Sequence, residues 1–150
     1  MSPRLARVGV AKHLIAAAFW VLAAGCTTPQ NGSAPFALAG TSWLRSDDAD
    51  AAPHYATLNF TADAASGNGG CNSWRAPIVA GPDGALRFGP IGVTRMICPP
   101  ASMQTEHNFL PALNRTRGYH LEGEELVFTS AGGAVVARFS CAHEPCPRTN

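Results

Sequence analysis

Through most of the chain after residue 40, hydrophobic and polar residues alternate with a period of two, the mark of strands with one buried face. In Tyr55–Phe60, Ala56, Leu58 and Phe60 share one face, while Tyr55, Thr57 and Asn59 share the other. In Val135–Cys141, Val135, Ala137, Phe139 and Cys141 alternate with Val136, Arg138 and Ser140. Leu126 with Phe128, Tyr119 with Leu121, and Leu86 with Phe88 repeat the pattern. Turn residues punctuate these runs at Gly81-Pro82-Asp83-Gly84, Glu122-Gly123-Glu124 and Ala131-Gly132-Gly133. With Thr41–Arg45 and Ile91–Ile97 added, the pattern predicts about eight short strands, a mainly β fold whose antiparallel meander closes into a small barrel.

One segment follows a different period. Pro99-Pro100 stops the preceding strand. Met103, Glu106, Phe109, Leu110 and Leu113 then recur at helical spacing, although Glu106 is polar. Ser102 offers an N-cap, with Glu106 one position beyond the capping-box spacing. Pro111 removes a donor and crowds the carbonyl of His107. The helix is therefore expected either to end near Leu110 or to restart with Pro111 in a first turn. One helix, plugging or flanking the barrel, makes the fold α+β.

The start of the chain carries neither period. Arg4, Arg7 and Lys12 precede an apolar run from Leu14 to Leu22, and Ala23-Ala24-Gly25 lead into Cys26. A basic start, a short apolar core and small residues before a cut are the parts of an export signal. A cysteine just after the cut predicts a lipoprotein, with lipid on Cys26. Ala23 stands where such signals usually carry Leu, so an ordinary secretory signal and a soluble periplasmic protein form the alternative. The run is shorter than the ~20 residues of a membrane span. More than one lipid chain gives stable anchoring, and Thr27 in place of an aspartate points to the outer membrane, facing the periplasm. The expected organisation is a signal at 1–25, a polar tether at 26–36, a domain at 37–140 and a cysteine-containing tail at 141–150.

Composition narrows the function. Cleavage after Gly25 would leave 125 of the 150 residues, enough for one domain. Its eight arginines against ten acidic residues give a charge of −2 with histidine neutral. No basic stripe exists, which argues against a nucleic-acid partner. Once Cys26 is lipidated, Cys71, Cys98, Cys141 and Cys146 remain. Four thiols allow three pairings, and spacing favours Cys71–Cys98 with Cys141–Cys146. Loop-closure entropy gives about 3.6 kcal/mol for the longer bridge and about 2.2 for the shorter, against a typical net stability of about 5–15 kcal/mol.

Several strings, taken in order, resemble the META (HslJ-like, DUF306) domain family. They are Leu38-Ala39-Gly40-Thr41-Ser42-Trp43, then Leu58-Asn59-Phe60, then Ser66-Gly67-Asn68-Gly69-Gly70-Cys71-Asn72. Leu86-Arg87-Phe88-Gly89 and Thr94-Arg95-Met96-Ile97-Cys98 follow, then Glu106, Phe109 and Leu113, and a closing hairpin from Leu126 to Phe139. The most specific part is Gly69-Gly70-Cys71-Asn72 followed by Thr94, Met96 and Cys98. The resemblance implies a compact β-rich domain, commonly exported as a lipoprotein and linked to heat-inducible expression, novobiocin resistance and, in trypanosomatid relatives, virulence. It places the family's two cysteines at Cys71 and Cys98, and it carries over no catalytic residue. Ala76, Pro77 and Ile78 depart from the family's usual glycine and aromatic residue, and the tail from Cys141 looks like an addition.

Catalytic and metal chemistry finds little footing. The glycine-rich loop 66–72 is followed by strand-like residues rather than the helix that a phosphate loop needs, so a tight turn is expected, with Asn72 bonding backbone there. Cys141, His143 and Cys146 hold metal-ligand chemistry, but in an oxidising compartment a disulfide is the simpler outcome. No serine lies in an elbow motif, and His54, His107, His120 and His143 are scattered surface candidates. Trp43, Trp74 and Phe60 are expected to fill the core rather than line a groove. The chain is therefore expected to be a non-enzymatic envelope lipoprotein with no cofactor that binds an envelope protein, and the family resemblance implies a stress- or resistance-associated module. The alternative is a carrier for a small amphiphile.

Overall fold

The computed structural model describes residues 36–143 and residue 147; Cys26, the signal, the tether through residue 35, and Cys146 lie outside the described residues. The described residues form nine strands: β1 (Ser42–Arg45), β2 (Thr57–Phe60), β3 (Ala64–Asn68), β4 (Ser73–Ala80), β5 (Leu86–Phe88), β6 (Gly92–Val93), β7 (Gly118–Glu122), β8 (Glu125–Thr129) and β9 (Val135–Cys141). One α-helix among the described residues, α1 (Pro100–Arg115), separates β6 from β7, and a short 3₁₀ turn covers Ala49–Ala51. All pairings are antiparallel, in the order β5-β4-β3-β2-β1-β9-β8-β7, with β6 added to β4.

This order nearly closes the sheet into a barrel. The edge strands β5 and β7 approach at one point: the Leu86 amide donates to Arg117 O at 3.1 Å, and the Tyr119 amide donates to Gly84 O at 2.7 Å. The sheet ladder does not continue between them, so the seam stays unsealed.

The period-two faces are the buried ones. Ala56, Leu58 and Phe60 of the β2 region point inward, as do Ala137 and Phe139 of β9. Trp43, Phe109, Phe128, Phe139, Leu58 and Leu113 are among the largest fully buried side chains. Each apolar side chain of that size contributes about 1.5–3 kcal/mol on burial. Ring pairs such as Phe128–Phe139, with centroids 4.8 Å apart, and Trp74–Phe109, at 5.5 Å, add shape-specific contact. Trp43, Trp74 and Phe60 all sit in this core.

The helix differs from both expected forms. It runs unbroken through Pro111 to Arg115. Phe109, Ala112 and Leu113 are completely buried on either side of the proline, while Pro111 faces outward. Burial on both sides holds the turn together although one backbone bond is missing. Ser102 is not the cap either: the helix begins at Pro100, with Pro99 before it and no side-chain cap bond, and Ser102 is buried in the first turn. Proline at the first helical position needs no amide partner.

One strand expectation also changes. Only Gly92 and Val93 of the 91–97 stretch form a strand: the Thr94 amide still donates to Ser73 O of β4 at 3.0 Å, but the Met96 amide donates to the Asn72 side chain instead of to a ladder. β4 passes straight through Ala76-Pro77-Ile78, with Pro77 opposite Ala64 and its side exposed.

Candidate functional site

The family-motif residues converge at one end of the barrel. The β3–β4 turn and the segment after β6 are joined by the Cys71–Cys98 disulfide, across 27 residues of sequence. Gly70 has φ +113°, a conformation that a side chain rarely adopts. A Cβ there would lie 2.7 Å from Thr105 Cβ, so only glycine lets the turn pass this close to α1. A strand, not a helix, follows the glycines, so the amide array of a phosphate loop is missing.

Asn72 is the hub. Its amide N donates to Glu106 Oε2 at 2.6 Å, and its Nδ2 donates to Glu106 Oε1 at 3.0 Å. Its Oδ1 accepts from the Met96 amide at 2.6 Å and from Thr94 Oγ1 at 2.9 Å. One buried side chain thereby ties the β3–β4 turn, the 94–98 loop and α1 together. The bond within the turn falls to a different residue than expected: Asn68 Oδ1 accepts from the Gly70 amide at 2.7 Å. Thr94 and Met96 thus matter through a hydroxyl and a backbone amide.

Outside this clamp stand Arg95 and two large apolar side chains. Ile97 is 99% exposed and Met96 is 59% exposed. Two residues of that type at the tip of a locked loop carry no packing role in the domain itself. They lie by the β3–β4 turn, while Phe36, where the chain enters the domain, packs against Trp43 near the other end of β3, by Gly40 and Phe60.

A second feature lies beside α1. A cleft of about 370 Å³ is lined by Arg45, Asp47, Asp48 and the helix residues His107, Asn108, Pro111 and Arg115. Arg45 is buried at the end of β1 and donates through Nε to Asp47 Oδ1 at 2.8 Å.

Glu106 and Arg45 were the residues the sequence reading did not assign. Each left a signal: a carboxylate on the apolar face of a predicted helix, and an arginine on the same strand face as Trp43.

Charges elsewhere sit on the surface. At the β7–β8 turn, Glu122 accepts from Arg138 Nη1 at 2.7 Å and lies 3.0 Å from His120 Nε2. Hydrogen bonding to His120, and then to Arg138, holds the Glu122 carboxyl below its ordinary value. The same pairing raises Arg138. Burial raises the Tyr119 phenol, whose hydroxyl donates to Phe36 O at 3.1 Å. His54, His107, His120 and His143 are all exposed. Among the described residues no group of three His, Cys, Asp or Glu is placed to hold a metal ion, and no helix is long and apolar enough to cross a membrane. Cys141 ends β9, and its expected pairing with Cys146 falls outside the described residues.

The comparisons with known proteins agree with this geometry. The META domain family model matches residues 37–143. A protein from Burkholderia xenovorans solved by NMR is similar at 25% identity, over 90% of this chain and 100% of that one, with a TM-score of 0.57. A DUF4847 family protein from Bacteroides vulgatus, solved by crystallography, shares the fold at 16% identity, over 69% of this chain and 93% of that one, with a TM-score of 0.51. No curated protein matches the chain. The match over most of its length, with the cysteine bridge and the Asn72 hub in place, makes this chain a member of the META domain family.

Proposed function

We propose that this chain is a non-enzymatic envelope lipoprotein whose META domain binds a protein partner through the clamped 94–98 loop. Lipid on Cys26 would hold it at the outer membrane, facing the periplasm. The observation that carries the binding reading is the exposure of Met96 and Ile97 on a loop whose backbone is locked by a disulfide and by Asn72. An apolar tip on a rigid base loses little conformational entropy on docking. Exposed apolar groups of this kind mark interaction surfaces when they cluster. The export reading draws on the apolar run 14–22 and on Ala23-Ala24-Gly25-Cys26. The family link to stress and resistance makes an envelope partner under stress the natural setting.

The second reading, a carrier for a small amphiphile, would need interior space. The rings of Trp43, Phe109, Phe128 and Phe139 occupy the barrel interior, which favours a surface interaction.

A photo-crosslinking residue placed at Ile97 in the full chain, expressed in its own host, tests the binding reading. A discrete ultraviolet-dependent adduct from position 97, absent from a probe at exposed Asn59, supports it. Equal labelling from both positions overturns it. Partition of the native protein into detergent, lost on Cys26→Ser, tests the anchor separately.

A further inference from the structure

We propose that the cleft beside Arg45 binds the anionic group, carboxylate or phosphate, of a small solute. This site is independent of the 94–98 loop, and either can hold without the other.

Arg45 sits at the end of β1 with its side chain on the inward face, and the residue is only 8% exposed. Asp47 satisfies Nε, but the buried Nη1 has no hydrogen-bond partner. The Asp48 carboxylate comes no nearer to it than 3.9 Å, too long for a hydrogen bond. A buried charged donor left without an acceptor is costly, and native structures rarely keep one without cause. Arg45 lines the cleft, so a small shift within its floor brings that donor to a ligand.

The opposite wall adds donors. His107, Pro111 and Arg115 recur every four residues, which places them on one face of α1. Arg115 forms no ion pair among the described residues, and both Arg115 and His107 are exposed to a ligand entering the cleft. The cleft's own acids are already engaged. Asp47 holds Arg45, and Asp48, with a side chain 9% exposed, accepts from Asn108 Nδ2 at 3.5 Å. The two arginines and two aspartates of the lining balance in charge, and the group left without a hydrogen-bond partner is the donor Arg45 Nη1, so the missing partner is an acceptor. A guanidinium matches the paired oxygens of a carboxylate or phosphate better than any neutral group does. The volume, about 370 Å³, falls at the small end of the usual range for ligand sites.

The test is a titration of the isotopically labelled full chain in detergent, followed by NMR at the Arg45 Nε–H and the His107 ring. The probes are sodium phosphate and sodium acetate, each against sodium chloride at matched ionic strength. Saturable shifts with phosphate, acetate or both are expected, and the probe that saturates identifies the class. Arg115→Gln, on an exposed position, should weaken that binding about tenfold or more while leaving the fold intact. The proposal is overturned if neither probe exceeds chloride, or if binding is unchanged in both Arg115→Gln and His107→Gln.

Discussion

Glu106 of α1 grips Asn72 twice, at the backbone amide and at the side-chain amide, at 2.6 Å and 3.0 Å. A helix carboxylate is thereby the acceptor for a buried turn in the sheet. Glu106→Gln keeps the shape but turns one acceptor into a donor facing a donor. Hydrogen bonds to charged groups contribute about 1.5–3 kcal/mol. The variant should lose that much in a urea titration of the full chain at neutral pH, and Glu106→Ala should lose more. An unchanged midpoint for both would mean that the grip adds nothing to stability.

Gly70 and Gly40 separate two causes of strain. Both have positive φ, at +113° and +82°. An added Cβ at Gly40 meets nothing within 4 Å, while at Gly70 it meets Thr105 and the Ser102 carbonyl. Gly40→Ala should cost about 1–2 kcal/mol for conformation alone. Gly70→Ala should cost clearly more, since α1 must also move. Equal losses in thermal denaturation would show that the turn is not pressed against the helix.

The 94–98 loop has two independent fasteners. Removing the disulfide with Cys71→Ser and Cys98→Ser releases a constraint spanning 27 residues, worth about 3.6 kcal/mol by loop closure. The bond from the Met96 amide to Asn72 remains. The double variant should unfold at lower denaturant yet keep the Met96 amide protected from exchange while folded. Loss of that protection would show that the bridge, and not Asn72, orders the loop.

The Glu122 carboxyl, held low by His120 and then Arg138, gives a pH signature. A depressed folded-state pKa means the carboxylate stabilises the fold above the unfolded value near 4.5. That contribution is lost as pH falls from there through the folded value. The group is exposed, so the effect should be small and salt-sensitive. Glu122→Gln should flatten the acid limb of the stability profile below about pH 4.5 at low ionic strength. An acid limb that superimposes on the wild type at low salt would remove Glu122 as its source.

Much of the fold was legible as period. The Ala56-Leu58-Phe60 and Ala137-Phe139 faces are buried as their alternation requires. The Cys71–Cys98 pairing, favoured by spacing and by family resemblance, is present. Where reading along the chain failed, the deciding partner lay far away in sequence. Residues 91–97 look like one strand, but the Asn72 side chain, 24 positions away, captures the Met96 amide. Pro111 looks like a helix break, but burial of Phe109 and Leu113 against the barrel carries the helix past it.

The amino-acid order by itself determined the strand faces, the turns and the presence of one helix, because side-chain direction follows local backbone geometry. Only the folded molecule decided that Glu106 meets Asn72, that Ile97 stands in solvent and that Arg45 lacks an acceptor on Nη1. Hydrogen bonds and burial are settled by what packing brings together, and α1 meets the β3–β4 turn through residues 34 positions apart along the chain.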